Sequence, residues 1–327
     1  MMSRRQHRNA CQLSRQFYGE GMSASNHDHD RPLLALLIRL LGIAGFASMA
    51  ALIKLASQRG IHLVEIIFWR QLVTVPILFG WAMMSGGMAQ LGTQRPRAHF
   101  VRALYGIAGM ICNFGAVILL PLAEAQTINF SAPIFAVLLS IVLLKESVGM
   151  WRWGAVLAGF LGIIVIAQPG DGHIPLTGAL VALGGAFMIA LISIQIRDLS
   201  KTDKPLVIVF WFAVTSVVLF APFQPLVMQD HSWGDWMLLL AIGLTGTWGQ
   251  LLVTVALRLG KVSSVIVMDY SAMVWATLFG WLLFSAFPPT TTWLGAPLIV
   301  AAGLIIAWRE RVVAHRRFSD LRGTAGT

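Results

Sequence analysis

The sequence predicts an all-α membrane protein of ten transmembrane helices, arranged as two inverted five-helix repeats. Three observations carry this prediction. First, 57% of the 327 residues are hydrophobic and only 12% are charged, whereas a soluble domain carries about 25% charged residues. Second, apolar runs long enough to cross a bilayer follow one another along the chain. Third, a segment of the first half recurs in the second half.

The formal net charge of +10 raises the question of nucleic-acid binding. Most basic residues, however, lie in the two tails and in short loops between apolar runs, which is typical of a membrane protein and excludes a nucleic-acid stripe. The two cysteines, Cys11 in a polar tail and Cys112 in an apolar run, occupy environments too different for a disulfide. We predict no cofactor and no metal site.

A spanning helix needs about 20 predominantly apolar residues. Backbone polar groups in hydrocarbon must be satisfied locally, so each apolar run is predicted to be a helix rather than a strand. The runs fall near residues 33–55, 62–84, 99–118, 122–144, 151–167, 176–196, 206–222, 236–257, 262–285 and 292–308.

The lysine and arginine distribution predicts the orientation. With the N-terminal tail in the cytoplasm, 20 of the 24 basic residues, Arg102 among them, fall on the cytoplasmic side. This asymmetry favours an even number of spans with both termini in the cytoplasm, in the cell inner membrane. Translation starts at Met1 or at Met22, a choice that the sequence leaves open.

These features divide the chain into four parts. Residues 1–31 are predicted to be a disordered cytoplasmic tail, since they are polar and contain no apolar core. Residues 32–168 are the first five-helix repeat and residues 173–309 the second. Residues 310–327 are a basic cytoplasmic tail.

The repeat is visible as a segment, 129–136 (NFSAPIFA), that matches 269–276 (DYSAMVWA) at a constant shift. Downstream, Gly154 and Gly162 match Gly295 and Gly303. Because each half holds an odd number of spans, the second copy enters the membrane from the opposite side. Inverted repeats of this kind are common in secondary transporters, which bind their substrate near the midplane between the repeats.

With these motifs the chain resembles the EamA-type branch of the drug/metabolite transporter superfamily. The resemblance covers roughly residues 33–308 and rests on three segments: 65–70 (EIIFWR), 131–133 (SAP) running to Lys145-Glu146, and 269–271 (DYS). One position departs from the family pattern, because Ala286 stands where a glutamate usually ends span nine, and the consequence is open. The resemblance implies movement of metabolites, often amino acids or related compounds, by alternating access without ATP.

We therefore predict a secondary transporter that moves a small amino-acid-like or related amphipathic solute across the inner membrane, most simply by efflux. Alternatives are an uptake carrier for a vitamin or a nucleotide-like cofactor, and a non-transport receptor or scaffold. An enzyme is disfavoured, because no hydrolase, zinc-protease or phosphate-binding motif occurs. A proton is a possible second solute, membrane lipid is the surrounding partner, and the protein is a monomer or a homodimer.

A charged residue at bilayer depth is energetically costly, so it is expected to be paired or to take part in function. Arg70 is predicted to bind a substrate anion or to tie span two to a neighbouring helix. Asp269 is predicted to pair with Arg70, to bind an amine, or to take up a coupling proton. Asn129, at the repeat position matching Asp269, completes the polar part of the site.

Aromatic residues beside these positions, namely Trp69, Tyr270 and Trp275, are predicted walls of the binding site. Glu65 is a candidate for coupling or gating. Its five-residue spacing from Arg70 is poor for an ion pair between the two on one helix.

Pro133 is a candidate hinge, and because its counterpart is Met273, the two halves are not expected to bend alike. Arg39 and Lys54 are expected to reach the interface, and Glu124 and Glu146 to lie there.

Overall fold

The structure is a computed structural model and describes residues 32–144, 150–168, 174–259 and 268–324. Within these ranges the regular elements are all helical. The predicted tail over 1–31 and Glu146 lie outside the described residues. The α-helices are α1 (Pro32–Gln58), α2 (Leu63–Ser85), α3 (Pro96–Leu119), α4 (Leu122–Asn129), α5 (Ala132–Leu144), α6 (Met150–Ala167), α7 (Leu176–Leu199), α8 (Pro205–Phe220), α9 (Gln224–Val227), α10 (Trp233–Leu259), α11 (Ala272–Phe284) and α12 (Thr290–Thr324).

Eight helical segments among the described residues are long and apolar enough to cross a membrane. The protein is therefore a multi-pass membrane protein. The predicted span at 151–167 is shorter than this length, since it appears as an apolar helix over Trp153–Ala167. The run at 262–285 is described only from residue 268. The last helix continues past the apolar run, which ends at Trp308, so residues 310–324 of the basic tail are helical.

Helix ends coincide with local stop and start signals. Gly60 follows α1 with a φ of 85°, a left-handed conformation that glycine adopts without a Cβ clash. His62 then caps α2, because its Nδ1 accepts a hydrogen bond from the Val64 amide at 3.3 Å. Pro96 and Pro205 occupy the first turns of α3 and α8, where a missing N–H costs nothing.

Two of the predicted spans are interrupted within the bundle. Span four is divided between α4 and α5 at Phe130 and Ser131, and span nine has a 3₁₀ turn, Met268–Ser271, immediately before α11. Pro133 lies in the first turn of α5, so the interruption comes before it rather than as a kink around it. At the matching place of span nine, where Met273 replaces the proline, α11 begins at Ala272 directly after the 3₁₀ turn.

Helices from the two halves of the chain pack against one another throughout the bundle. The main pairs are α1 with α10, α3 with α7, and α6 with α12. Small residues allow the close approach: the Gly249 Cα lies 3.3 Å from the place where a Cβ on Gly45 would lie. Likewise, a Cβ on Gly295 would lie 2.6 Å from the carbonyl oxygen of Gly162. These helices therefore contact each other backbone to backbone, as small-residue interfaces in membranes do.

Polar contacts define two faces of the bundle. We call the face at which α1 begins the proximal face and the face at which it ends the distal face. On the proximal face, Arg95 Nη2 lies 2.7 Å from Asp198 Oδ2, and this hydrogen bond holds the pKa of Asp198 below its ordinary value. On the distal face, Arg59 Nη1 lies 3.1 Å from Asp235 Oδ1.

Candidate substrate-binding cavity

A cavity of about 580 Å³ lies between the two halves of the chain. Its walls come from α1, α2, α3, α4, α7, α8, α10 and the interruption before α11. Four charged residues and four amide residues line it together with aromatic and small side chains. The charged and amide residues are Arg39, Arg70, Arg102, Asp269, Asn113, Gln126, Asn129 and Gln250.

Asp269 binds Arg39, not Arg70. Arg39 Nε and Nη2 donate to the two carboxylate oxygens of Asp269, each at 2.7 Å. The Arg39 side chain is 9% exposed and that of Asp269 is 42% exposed, so the pair faces the cavity from its carboxylate end. Arg39 does not extend to the interface as expected, because α1 begins at Pro32 and its seventh following residue is about 10 Å along the helix axis.

Arg70 lies in the cavity wall without a carboxylate partner among the described residues. Its Nε lies 3.2 Å from the Met49 sulfur, and its Nη1 lies 3.1 Å from the Met110 sulfur and 3.2 Å from Gln71 Oε1. Its guanidinium carbon lies 5.6 Å from the centre of the Phe114 ring. Sulfur is a weak hydrogen-bond acceptor, so these contacts position the guanidinium group but do not neutralise it.

Arg102 is a third cavity-lining arginine, although it was expected on the cytoplasmic side. It is 7% exposed, and its guanidinium carbon lies 4.0 Å from the centre of the Phe212 ring. Its Nε and Nη1 have no acceptor among the described residues. A sequence signal does exist: Gly106, Gly109 and Asn113 follow Arg102 at helical spacing on one face of α3.

The amide groups border the cavity near the interruption of span four. Asn129 is the last residue of α4, and its buried Oδ1 lacks a hydrogen-bond donor among the described residues. Gln126 lies one turn earlier and also lines the cavity. The structure thus brings Asn129 and Asp269, which occupy matching positions of the repeat, to the same cavity.

The predicted aromatic walls are only partly in place. Trp69 packs edge-on against Trp236 at a centroid distance of 4.9 Å, away from the cavity. Trp275 stacks on Phe279 and is not among the lining residues. Tyr270 contacts the cavity indirectly, because its ring packs edge-on against the lining residue Phe130 at 5.1 Å. The aromatic residues that do line the cavity are Phe46, Phe114, Phe130 and Phe212.

Glu65 and Pro133 also lie outside the cavity lining. Glu65 is fully buried near the distal face, where its Oε1 lies 2.5 Å from His231 Nε2. His231 precedes α10, so this contact joins the start of α2 to the start of α10. Sequence reasoning could not find His231, because it lies in a short polar loop with no periodicity.

Two further residues that were expected at the interface bind protein groups near helix ends. Lys54 Nζ donates to the carbonyl oxygens of Val117 and Leu120, at 3.0 and 2.6 Å, and so satisfies the end of α3. Glu124 is 1% exposed and its Oε1 accepts a hydrogen bond from Thr292 at 3.3 Å. Lys54 thus caps a helix end, and Glu124 packs against Thr292. Both contacts depend on residues that are distant in the sequence.

The position that departs from the family pattern, Ala286, lies just after α11. Its amide donates to the Gly280 carbonyl oxygen at 3.0 Å, and Ser285 before it has a φ of 51°. Ala286 therefore belongs to the turn that ends α11. Over the residues searched, no group of three or more His, Cys, Asp or Glu side chains could hold a metal ion.

A sequence model of the EamA-like transporter family matches residues 33–168 and again residues 176–308. The chain belongs to the EamA-like transporter family. The resemblance stated from the motifs is therefore confirmed.

Relatives within this family carry different solutes. The riboflavin transporter of Vibrio cholerae is 27% identical over 304 residues, covering 90% of this chain and 99% of the relative. The pseudopaline exporter CntI of Pseudomonas aeruginosa is 31% identical, covering 83% of this chain and 95% of the relative. An S-adenosylmethionine uptake transporter of Rickettsia felis is 24% identical, covering 79% and 87%.

A protein crystal structure supports the fold. It is 20% identical to this chain, covers 86% of this chain and 99% of its own, and superposes with a TM-score of 0.56. Membership in the transporter family and the transporter names of the relatives together make this chain a drug/metabolite-type transporter of small solutes.

Proposed function

We propose that this EamA-family protein is a secondary carrier that binds a small solute with an anionic group in the central cavity and moves it by alternating access. The observation that carries the proposal is the half-buried guanidinium group of Arg70, which faces the cavity without a carboxylate partner among the described residues. A charge at membrane depth is costly, so an unpaired one marks a solute site. Arg70 suits a carboxylate or phosphate because its donors form a rigid fork.

The carrier is proposed to have ten spans in two inverted repeats, over 32–168 and 173–309. Two observations support this arrangement. The helices α5 and α11 begin at Ala132 and Ala272, which are matching positions of the repeat. Each main packing contact also has a counterpart when the two halves are exchanged. The contact of α1 with α10 corresponds to that of α7 with α3, and the contact of α2 with α10 corresponds to that of α8 with α3. In the same way, the contact of α5 with α7 corresponds to that of α11 with α1.

Alternating access requires that one side of the cavity opens as the other closes. The distal side is held closed by the buried Glu65–His231 contact. The cavity lining, by contrast, extends to Arg39 near the proximal end of α1. We propose that Glu65 acts in gating through this distal contact, and that the interruptions of spans four and nine, with Pro133 beside the first, are the hinges.

Asp269 is proposed to act through Arg39. Both of its oxygens accept a hydrogen bond from that guanidinium group, so an amine or a coupling proton would compete with Arg39 for the carboxylate. Tyr270, Trp69 and Trp275 would then support the site by packing, with Asn129 offering an amide to the polar part of the solute.

The direction and the solute class are proposed from the relatives and the orientation from the loops. Efflux of an amino-acid-like or related amphipathic solute agrees with the exporter among the relatives. Both termini in the cytoplasm agree with the charge asymmetry of the loops. Uptake of a vitamin or a nucleotide-like cofactor is the second candidate, and the riboflavin and S-adenosylmethionine transporters among the relatives favour it.

A thermal-shift screen of the purified protein tests the proposal. Amino acids, their separate amine and carboxylate analogues, sugars, nucleosides and vitamins are the ligands, and wild type is compared with Arg70→Ala and with Arg59→Ala on the distal face. A solute carrying an anionic group should stabilise wild type and Arg59→Ala but not Arg70→Ala. Equal stabilisation of all three proteins would contradict the assignment of Arg70.

A further inference from the structure

The charges that line the cavity do not balance. Arg39 is neutralised by Asp269 through two hydrogen bonds of 2.7 Å each. Arg70 and Arg102 take part in no ion pair among the described residues. These two guanidinium groups therefore leave an excess positive charge on the cavity wall.

Neither group is compensated by its immediate surroundings. Each lies against an aromatic ring, Arg70 near Phe114 and Arg102 near Phe212, and Arg102 keeps Nε and Nη1 without an acceptor among the described residues. A ring face attracts a cation but does not replace the hydration that burial removes. Both groups therefore lie in the cavity wall beside a ring but without an anion that neutralises them.

The two groups contact separate parts of α3. Arg102 Nη1 lies beside Gly106, 3.0 Å from the place where a Cβ on that residue would lie. Arg70 Nη1 contacts α3 at Met110, which is one turn further on, or about 6 Å along the axis. Both arginines line the same cavity. Two anionic groups of one solute can therefore be bound at the same time, one by each arginine.

The remaining walls define the body between those groups. Phe46, Phe114 and Phe212 give the cavity apolar faces, and the volume of about 580 Å³ admits a ring-bearing metabolite. Extending the proposed function, on which this step rests, we infer that the cavity selects an organic dianion, with one anionic group bound by Arg70 and the other by Arg102.

Ligands with one skeleton and different charge test this inference. Benzamide, benzoate and isophthalate carry none, one and two negative charges at pH 7.5, and phenyl phosphate carries nearly two on a single group. Titration calorimetry on the full-length protein in detergent should find isophthalate bound about tenfold or more tightly than benzoate, because a second charge-assisted hydrogen-bonded contact is formed. Equal affinities for benzoate and isophthalate would overturn the inference, and so would phenyl phosphate binding as tightly as isophthalate.

Arg102→Gln is the decisive variant, and Arg59→Gln on the distal face is its control. Arg102→Gln should bind isophthalate no more tightly than wild type binds benzoate, while Arg59→Gln keeps the full preference. Without ligand, Arg102→Gln should unfold at the same temperature as wild type or higher, because an uncompensated buried charge has been removed. A lower unfolding temperature, or an unchanged preference for isophthalate, would assign Arg102 a structural role instead.

Flux separates this inference from the proposed function. If the protein is a carrier without a dianion site, reconstituted vesicles will show saturable flux of a solute with no preference for the doubly charged member of a matched pair. If the carrier proposal itself is wrong, no saturable flux occurs in wild type, whichever of these ligands binds.

Discussion

The ion pair between Arg39 and Asp269 joins the first helix of the chain to the interruption of span nine, and its removal has a calculable effect. Breaking a fully buried pair by removing one partner costs about 3–5 kcal/mol of stability. Asp269 is 42% exposed, so water in the cavity screens part of this interaction, and we expect Asp269→Asn to cost about 2 kcal/mol. Arg39→Gln should cost a similar amount.

A double-mutant cycle isolates the contribution of the pair. Reversible unfolding of wild type, Asp269→Asn, Arg39→Gln and the double variant in mixed detergent micelles, followed by tryptophan fluorescence, should give a coupling free energy of about 1–2 kcal/mol. The proximal pair Arg95–Asp198, whose side chains are 36% and 45% exposed, is the control and should couple by less than about 1 kcal/mol. A cavity pair that couples by less than about 0.5 kcal/mol would refute the reasoning.

Three further predictions concern packing, the distal contact and the hinge. Gly295→Ala should lower the free energy of unfolding by about 1–3 kcal/mol, because the added methyl group overpacks the contact with α6. Gly154→Ala is the control and should leave the free energy of unfolding unchanged, because an added Cβ there meets nothing within 4 Å. Equal effects of the two substitutions would contradict the close helix contact. His231→Ala should lower the free energy of unfolding by about 3 kcal/mol, because Glu65 is left buried and unpaired. Adding Glu65→Gln to this variant should restore part of that stability. A further loss of stability would show that the unpaired Glu65 carboxylate is not the cause of the destabilisation. Pro133→Ala should change the unfolding free energy by less than about 1 kcal/mol and preserve flux, since a first-turn residue has no intrahelical N–H bond to lose; abolished flux would make the proline itself essential.

Hydropathy located the helices because the bilayer fixes both their length and their composition. The run at 62–84 appears as Leu63–Ser85, and the run at 99–118 as Pro96–Leu119. The matched start of α5 and α11 was likewise visible in the repeat. Helix length and the repeat depend on local composition and on the thickness of the bilayer, so both can be predicted from the sequence.

The charge partners in the cavity were not visible in the same way. Hydropathy gives the approximate depth of a residue but not the direction in which its helix is rotated. Arg39 and Arg102, each within about two turns of a helix start, were therefore expected at the interface. Which carboxylate meets Arg39 depends on the packing of α1 against span nine, and local spacing carries no information about that contact.

The aromatic predictions failed for a related reason. Trp69 and Trp275 adjoin cavity residues in sequence, but neighbouring residues on a helix point about 100° apart. Trp69 therefore packs toward Trp236 while Arg70 faces the cavity. Phe114 and Phe212, which do line the cavity, could have been identified only from the faces of α3 and α8.

Counterflow in reconstituted vesicles tests the central claim most directly. Vesicles loaded with the solute identified by thermal shift are diluted into a trace of labelled solute, and uptake is compared among wild type, Arg70→Ala and Arg59→Ala. The carrier account predicts saturable uptake that internal solute stimulates in wild type and Arg59→Ala, and none in Arg70→Ala. Uptake that rises linearly with concentration without stimulation by internal solute, or that is unchanged in Arg70→Ala, would contradict it.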